Sequence, residues 1–351
     1  MEIRRAVSDN GRMPTTTQAQ PPNPELIFDT LSAYQKTAAL RGAIELDLFT
    51  AIAEGATTAA DLASKLKVAE RGARILCDYL VVNRLLTKQG ARYGLTPDSA
   101  MFLDRRSPAY MGTAVGFLNS AAIMDNFRDV AALVRKGGHA ASEKGMVEDE
   151  HPAWVEFARA MVPLMAMPAE FIAGVTGADA GANWKVLDIA AGHGIFGIAL
   201  ARHNPNARVV ALDWEPVLAV AKENAQKAGV DGRYETIAGS AFEADFGSGY
   251  DIVLLTNFLH HFDVSTCEGL LRKVYAALKP GGRAVTLEFV PNEDRVSPPV
   301  AATFSLMMLG GTPSGDAYTF AELDKMFRNA GFASSQAHSM PGPETVVISQ
   351  K

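Results

Sequence analysis

The chain has 351 residues, of which 48% are hydrophobic and 21% are charged, and its formal net charge is −6. This composition is typical of a globular protein of two or three domains with enough apolar material for a core. The net negative charge argues against nucleic acid as a partner, because such binding depends on clustered positive charge.

Three further features concern location and metals. The first 24 residues lack the apolar core of a secretory signal and are rich in Pro, Thr, Gln and Asn, so residues 1–24 are predicted to be a disordered arm. No apolar run reaches the ~18 residues of a membrane span. Cys77 and Cys267 form neither a disulfide framework nor a zinc motif. We therefore expect a cytoplasmic protein with no metal and no membrane partner.

Residues 25–107 predict a helical domain that ends in a two-stranded wing. Apolar residues recur at helical spacing between Ile27 and Ile52, and the segments TTAADLASKLKV and AERGARILCDYLVVNRLL predict two more helices. The segment TKQGARYGLTPDS predicts two short strands joined at Gly90, which completes a winged-helix pattern. Such a module binds DNA or mediates oligomerisation. The second helix is too apolar to offer a phosphate-binding face, which favours oligomerisation.

Residues 108–178 predict helices, and residues 179–351 predict an α/β domain. In the first region, YMGTAVGFLNSAAIMDNFRDVAALVRKGG predicts one or two helices and HPAWVEFARAMVPLMAMPAEFIAGVTG predicts another. In the second, the short apolar runs KVLDIA, ARVVALD, RYETIAG, YDIVLLTN and GRAVTLEFV alternate with helical segments, as in a parallel sheet covered by helices on both faces. The last two strands are joined by a tight turn and must therefore be antiparallel.

The loop after the first of these strands contains Gly192-His-Gly194-Ile-Phe-Gly197, a G-x-G-x-x-G pattern. Small residues let the backbone approach either the pyrophosphate of NAD or S-adenosylmethionine (SAM). Asp188 precedes the loop and would repel a pyrophosphate, whereas it would attract the ammonium group of a methionine, directly or through water. Asp213 ends the next strand, where a carboxylate can accept the ribose hydroxyls of either ligand. Asp188 and the terminal hairpin favour SAM.

The segment Asp188-Ile-Ala-Ala-Gly192-His-Gly194 resembles the first motif of the class I SAM-dependent methyltransferases, with Ala190 where a glycine is common. From about residue 25 the chain resembles the plant-type two-domain small-molecule O-methyltransferases, which include acetylserotonin O-methyltransferase and bacterial relatives. The resemblance implies a Rossmann-like, seven-stranded α/β sheet with an antiparallel terminal hairpin. It also implies SAM as cofactor, S-adenosylhomocysteine as product and a small, aromatic acceptor.

The same resemblance divides the chain into functional regions. Residues 25–107 would be a winged-helix dimerisation domain that forms a homodimer, and residues 108–178 would supply helices of the substrate pocket. Residues 179–351 would be the SAM-binding catalytic domain, with no nucleic acid among its partners. The residues expected to contact SAM are Asp188, Ala190, Gly192, Gly194, Asp213, Trp214, Gly239, Ser240, Ala241, Phe242, Thr256 and Asn257.

Several of these positions differ from the family pattern. Ser240 stands where an acidic residue usually accepts the adenine amino group, and Thr256 and Asn257 stand where the family has Lys and Trp. Trp214 follows the ribose carboxylate and could pack on the adenine face.

Transfer of a methyl group to a phenol with a pKa near 10 requires a general base, and histidine is the usual one. The segment TNFLHHFDVSTCEGLLRK offers two histidines at the carboxyl edge of the sheet, where ligands bind. The family motif H-D-W-x-x-x-x-C, aligned on Cys267, assigns the base to His260, with His261 as the alternative. The resemblance also assigns Glu288 to the orientation of this histidine. A second family carboxylate falls on Ala317, so Asp316 beside it is the candidate substitute.

Met and Phe side chains suit a flat aromatic acceptor. The expected acceptor residues are Phe157, Met161, Met165, Phe304, Met307 and Met308. Two alternative functions fit the same residues. The acceptor could be nitrogen or carbon, or the protein could bind SAM without methylating, as a hydroxylase-, decarboxylase- or cyclase-like enzyme. A third alternative is a winged-helix regulator that senses SAM.

Overall fold

The computed structural model describes residues 22–139, 145, 148 and 153–351. Nearly all of the arm expected over residues 1–24 therefore lies outside the described residues. The N-terminal domain contains six helices and two strands within the described ranges. They are α1 (Glu25–Leu31), α2 (Ala33–Glu45), α3 (Leu48–Ala53), α4 (Ala59–Leu66), α5 (Glu70–Val82), β1 (Leu86–Gln89), β2 (Arg92–Leu95) and α6 (Pro97–Phe102).

The predicted order of two helices followed by a wing is present, and local chemistry explains it. Thr58 begins α4 with a capping box, in which its hydroxyl accepts from the N–H of Asp61 while the Asp61 carboxylate accepts from the N–H of Thr58. Strands β1 and β2 pair antiparallel from Leu86 opposite Leu95. The hydroxyl of Tyr93 donates to Asp78 of α5 over 2.8 Å, which ties the wing to the helices.

A helical region follows and is more broken than the sequence pattern indicates. Its helices are α7 (Gly112–Leu118), α8 (Ala121–Met124), α9 (Val130–Lys136), α10 (Ala153–Ala160) and α11 (Val162–Thr176). The single helix expected across α10 and α11 is wrong, because the two are bent by 67°. Pro163 explains the break, since it lies in the first turn of α11 and lacks the N–H that would continue α10. Likewise, the Asp129 side chain accepts from Ala132 and starts α9 as a new helix.

Among the described residues, no single helix is long and apolar enough to cross a membrane, although the bent pair of α10 and α11 passes by length and composition together.

The C-terminal domain is the predicted α/β sheet. Its elements are β3 (Lys185–Ile189), α12 (Ile195–His203), β4 (Arg208–Asp213), α13 (Glu215–Lys227), β5 (Tyr234–Ala238), β6 (Tyr250–Thr256), α14 (Val264–Ala277), β7 (Leu278–Glu288), α15 (Pro299–Gly311), α16 (Phe320–Asn329), β8 (Ser334–Ser339) and β9 (Thr345–Gln350). The seven strands are ordered β5-β4-β3-β6-β7-β9-β8.

The strand directions confirm both the parallel sheet and the terminal hairpin. Strands β3 to β7 are parallel, whereas β9 is antiparallel to β7 and to β8. The strand order reverses between β3 and β6, and such a reversal opens a crevice at the carboxyl ends of the strands. Large apolar clusters cover both faces of the sheet. The loops after β3, β4, β5, β6 and β7 therefore converge on one edge.

Candidate active site

Asp188 lies beneath the glycine-rich loop rather than on its surface. Its side chain is fully buried, one oxygen accepts from the N–H of Gly197 over 3.1 Å, and the other has no hydrogen-bond partner within the described part of the chain. Burial raises the pKa of Asp188 to about 8, against the opposing effect of the Gly197 bond. A Cβ at Gly197 would lie 2.9 Å from this carboxylate, so glycine is required for α12 to pack here. Asp188 therefore anchors α12 through one oxygen, and its contact with SAM, directly or through water, stays a prediction.

The loop itself has the backbone shape of a ligand cradle. Gly192 and Gly194 have φ angles of 58° and 74°, in the left-handed region. Ala190 has a φ of 52°, a conformation that costs an alanine ~1 kcal/mol and that glycine adopts freely. A Cβ added to Gly192 would meet nothing closer than the backbone oxygen of Ala190 at 3.9 Å, so there is open space beside this residue.

Asp213 lies half-buried at the carboxyl end of β4. Its two oxygens accept from the N–H groups of Gly192 and Trp214 over 2.8 and 2.7 Å. Burial raises the pKa of Asp213 to about 6, although both bonds oppose the shift. At neutral pH this carboxylate is therefore ionised and fixed by the loop, with lone pairs left for a pair of hydroxyls. Trp214 packs, as do Trp154 and Val155 of α10, against a small buried cluster of Ala158, Val217 and Val220.

The four residues expected to surround the adenine follow β5 as one loop. The N–H of Gly239 donates to the backbone oxygen of Asp213 over 3.0 Å, which joins this loop to the end of β4. The Ser240 hydroxyl accepts from the N–H of Phe242. The ring of Phe242 is 38% exposed and meets the ring of Phe262 edge-on at 4.9 Å. The loop consists of Gly239, Ser240, Ala241 and Phe242.

His260 and Glu288 form a buried hydrogen-bonded pair, as the sequence predicts. Nδ1 of His260 lies against one carboxylate oxygen of Glu288 in a very short contact. The other oxygen accepts from the backbone N–H groups of Phe258 and Leu259 over 3.1 and 2.8 Å. Glu288 therefore has three donors, which compensate for its burial. Since the carboxylate accepts from Nδ1, the Nε2 atom of a neutral His260 carries no proton and is available as a base.

Several contacts hold the turn that carries His260. The thiol of Cys267 donates to the backbone oxygen of Leu259 over 3.2 Å. The ring of Phe304 meets the imidazole edge-on, with centroids 4.8 Å apart. A Cβ added to Gly315 would lie only 2.2 Å from the backbone oxygen of His260. The turn is therefore packed so closely that only glycine fits at position 315.

His261 has a different environment. Its Nδ1 donates to the backbone oxygen of Phe258 over 3.2 Å, and its ring lies edge-on to Trp154 at 5.4 Å. Burial, together with the charge of His260, lowers the pKa of His261 well below its usual value. Among the described residues no carboxylate is hydrogen-bonded to His261, so its protonated form lacks the stabilisation that Glu288 offers His260.

Asp316 has an ion-pair partner of its own. Asp316 forms an ion pair of 3.1 Å with Arg295, and its side chain is partly exposed. Arg295 also contacts Glu322, so its guanidinium lies between two carboxylates. The recorded partner of Asp316 is thus Arg295, and a supporting role for Asp316 at the base stays a prediction.

A carboxylate that the sequence analysis missed lies at the site instead. Glu344 immediately precedes β9 and is only 4% exposed, and its neighbour Thr345 pairs with Glu288 across the sheet. Burial raises the pKa of Glu344 to about 7, and the charge of Glu288 also raises it. The Asn257 side chain and the charge of His260 lower the pKa and so offset part of this shift. No motif marks this position, and only the register of β7 and β9 brings Glu344 to the catalytic edge.

The predicted acceptor residues come from α10, α11 and α15, with Met161 between the first two. Phe157, Met161, Met165 and Met307 belong to one apolar cluster, and the ring of Phe304 contacts His260 directly. Met308, on the same helix α15, is buried.

Thr256 and Asn257, which were expected at the methionine end of SAM, end β6. Asn257 adopts a left-handed φ of 53°, and its amide donates to the sulfur of Met165 over 3.5 Å. The structure thus connects Asn257 to the acceptor helices.

Within the described ranges, no group of three or more His, Cys, Asp or Glu residues could hold a metal ion.

Comparison with known proteins identifies the family. A model of the O-methyltransferase domain matches residues 179–333, and a model of the O-methyltransferase dimerisation domain matches residues 28–105. A solved structure assigned as an O-methyltransferase from Nostoc punctiforme is 55% identical, with a TM-score of 0.92 over 94% of this chain and 100% of that one. The chain belongs to the O-methyltransferase family.

Two further proteins are similar to this O-methyltransferase. The 3-hydroxy-5-methyl-1-naphthoate 3-O-methyltransferase of Streptomyces sahachiroi is 29% identical over 93% of this chain and 95% of its own length. Human N-acetylserotonin methyltransferase, solved in complex with SAM, has the same fold, with a TM-score of 0.82 and 21% identity over 96% of this chain and 99% of that one.

Proposed function

We propose that this O-methyltransferase moves the methyl group of SAM to a hydroxyl of a small aromatic metabolite, with His260 as general base. The observation that carries the proposal is the pairing of His260 with Glu288 at the edge of the sheet where the glycine-rich loop and Asp213 also lie. Glu288 fixes the tautomer of the histidine and stabilises the imidazolium that forms when the proton is taken, so it is a positioning residue.

The residues of the crevice fit SAM. Asp213 is a fixed carboxylate suited to two ribose hydroxyls, and the space beside Gly192 admits a ligand close to the backbone. Ser240 and Phe242 would border the adenine. When bound, SAM supplies a methyl group on a positively charged sulfur, which is already activated for displacement. The protein's own task is to align the hydroxyl with that methyl group and to remove its proton at Nε2 of His260.

The acceptor is proposed to lie between α10–α11 and α15. Phe304 packs edge-on against His260, and Met165 and Met307 contribute adaptable apolar walls. The aromatic substrate named for the Streptomyces sahachiroi relative supports a flat, hydroxylated acceptor.

The N-terminal domain is proposed to make a homodimer through α1 and α2. Leu26, Ile27, Phe28 and Leu31 are each more than 60% exposed on a short helix, and such a patch of apolar side chains favours burial against a partner. Sedimentation velocity tests this proposal. The wild type should sediment as a dimer and Phe28→Glu should shift toward the monomer. A monomeric wild type contradicts it.

The catalytic proposal is tested with SAM that carries a labelled methyl group. Wild type, His260→Ala and the control His338→Ala, whose histidine lies on the outer strand β8, are incubated with phenols, catechols and hydroxylated heteroaromatic compounds. We expect His260→Ala to lose about 10²- to 10⁴-fold in rate and His338→Ala to retain the wild-type rate. Equal rates in wild type and His260→Ala would contradict the base assignment and favour a nitrogen or carbon acceptor. SAM binding without any transfer would favour a non-methylating enzyme.

A further inference from the structure

Glu344 is a buried carboxylate that the proposed reaction does not use. Within the described residues, one of its oxygens has no hydrogen-bond partner and almost no exposed surface. Glu288, by comparison, has three donors for its two oxygens. Burying a polar atom without a partner is costly, so Glu344 is poorly explained as a structural residue.

The surroundings of Glu344 place it at the acceptor end of the crevice. The Asn257 side chain lies close enough to Glu344 to lower its pKa, and its amide also donates to the sulfur of Met165 on α11. A Cβ added to Gly342, in the same hairpin turn, would lie 3.6 Å from the end of the Met167 side chain, also on α11. The turn between β8 and β9 therefore packs against the helix that contributes to the acceptor pocket, while Glu344 faces the charges of Glu288 and His260.

Two buried oxygens without hydrogen-bond partners indicate that a ligand at this point must supply a hydrogen-bond donor. The side-chain oxygen of Asn257 is also buried without a hydrogen-bond partner in the described structure, like the oxygen of Glu344. Both atoms are acceptors, and a carboxylate and an amide oxygen are satisfied by a hydroxyl or an amino group. An acceptor hydroxyl that donates to Nε2 of His260 cannot also donate to this second pair, because it has only one proton.

We propose that Glu344 and Asn257 form a second recognition point in the acceptor pocket, which binds an additional hydroxyl or amino group of the aromatic substrate. The inference rests on the proposed function and names its substrate class: aromatic compounds that carry a second hydrogen-bond donor besides the hydroxyl that is methylated. A hydroxyl donates to one of the two orphaned oxygens and an amino group can donate to both. Either contact fixes the rotation of the ring over His260. Neither residue takes part in proton removal.

The test measures binding rather than turnover. The enzyme loaded with S-adenosylhomocysteine is titrated calorimetrically with 2-naphthol and with 2,3-, 2,6- and 2,7-dihydroxynaphthalene, which present the second hydroxyl at different distances. We expect at least one dihydroxynaphthalene to bind about tenfold or more tightly than 2-naphthol, equivalent to ~1.4 kcal/mol. In Glu344→Leu this ratio should fall to about one. Glu344→Gln, which keeps a neutral acceptor, should give an intermediate ratio.

Glu235→Gln, at an exposed position of β5, is the matched control and should keep the wild-type ratio. Unchanged affinity for S-adenosylhomocysteine verifies that each variant is folded. A ratio near one in the wild type, or an unchanged ratio in Glu344→Leu, overturns the inference. Failure of the proposed function would look different, because the ratio would persist while labelled methyl transfer was absent. A wild type that binds none of the four compounds contradicts both proposals.

Discussion

Replacing Glu344 by glutamine is expected to change how the stability of the protein depends on pH. Burial raises the pKa of Glu344 from 4.5 to about 7 in the folded protein, whereas the unfolded chain keeps the ordinary value. Between these two values the folded state binds a proton that the unfolded state has released. The wild type is therefore most stable below about pH 4.5 with respect to this group, and it loses stability as the pH rises through about 7.

The magnitude follows from the size of the shift. A difference of about 2.5 pK units corresponds to about 3 kcal/mol, which is lost progressively between about pH 4.5 and 7. Glutamine has the same shape but does not ionise. The stability of Glu344→Gln relative to the wild type should therefore increase by up to about 3 kcal/mol between pH 4.5 and 8. Asp188 and Asp213 titrate in both proteins, so their contributions cancel in the comparison.

Thermal unfolding of both proteins over this pH range is the assay. The difference between their melting temperatures should be small at pH 4.5 and should reach several degrees in favour of the variant at pH 8. A difference that stays constant across the range would refute the reasoning, because Glu344 would then titrate as an exposed glutamate does.

Two further predictions concern the loops around the site. Gly315→Ala should lower turnover about 10- to 100-fold, because its methyl group would press on the backbone oxygen of His260. Gly269→Ala is the control, since a Cβ at that position meets nothing within 4 Å. Equal turnover rates in both variants would contradict the close packing at Gly315. Asp213→Asn should weaken SAM binding about tenfold in calorimetric titration, since the ribose hydroxyls lose a charged acceptor; an unchanged affinity would remove Asp213 from the SAM site.

The catalytic pair could be predicted from the sequence because short-range patterns determine it. His260 and Cys267 belong to one turn and the helix after it, and the Cys267 thiol bonds the backbone of that turn. Glu288 ends the strand that pairs with β6, so a parallel sheet necessarily brings its end beside the histidine turn. The glycine-rich loop and Asp213 were predictable for the same reason.

The sequence could not place some residues, because their positions depend on contacts with distant parts of the chain. Asp316 is next to the family position, but it forms an ion pair with Arg295, which no local pattern predicts. Glu344 reaches the site only through the antiparallel register of β7 and β9, which no local pattern specifies. Asp188 matches the motif, and its bond to the N–H of Gly197 ties it to α12. The spacing of the motif residues does not predict this bond.

The most direct test of the central claim uses acceptors of graded acidity. Single-turnover methyl transfer by wild type and His260→Ala, both saturated with SAM, is compared for a phenol with a pKa near 10 and for a nitrophenol that is already ionised at the assay pH. If His260 removes the proton, the variant should lose about 10²- to 10⁴-fold with the first and little with the second. An equal loss with both acceptors would contradict a base and assign His260 to positioning alone.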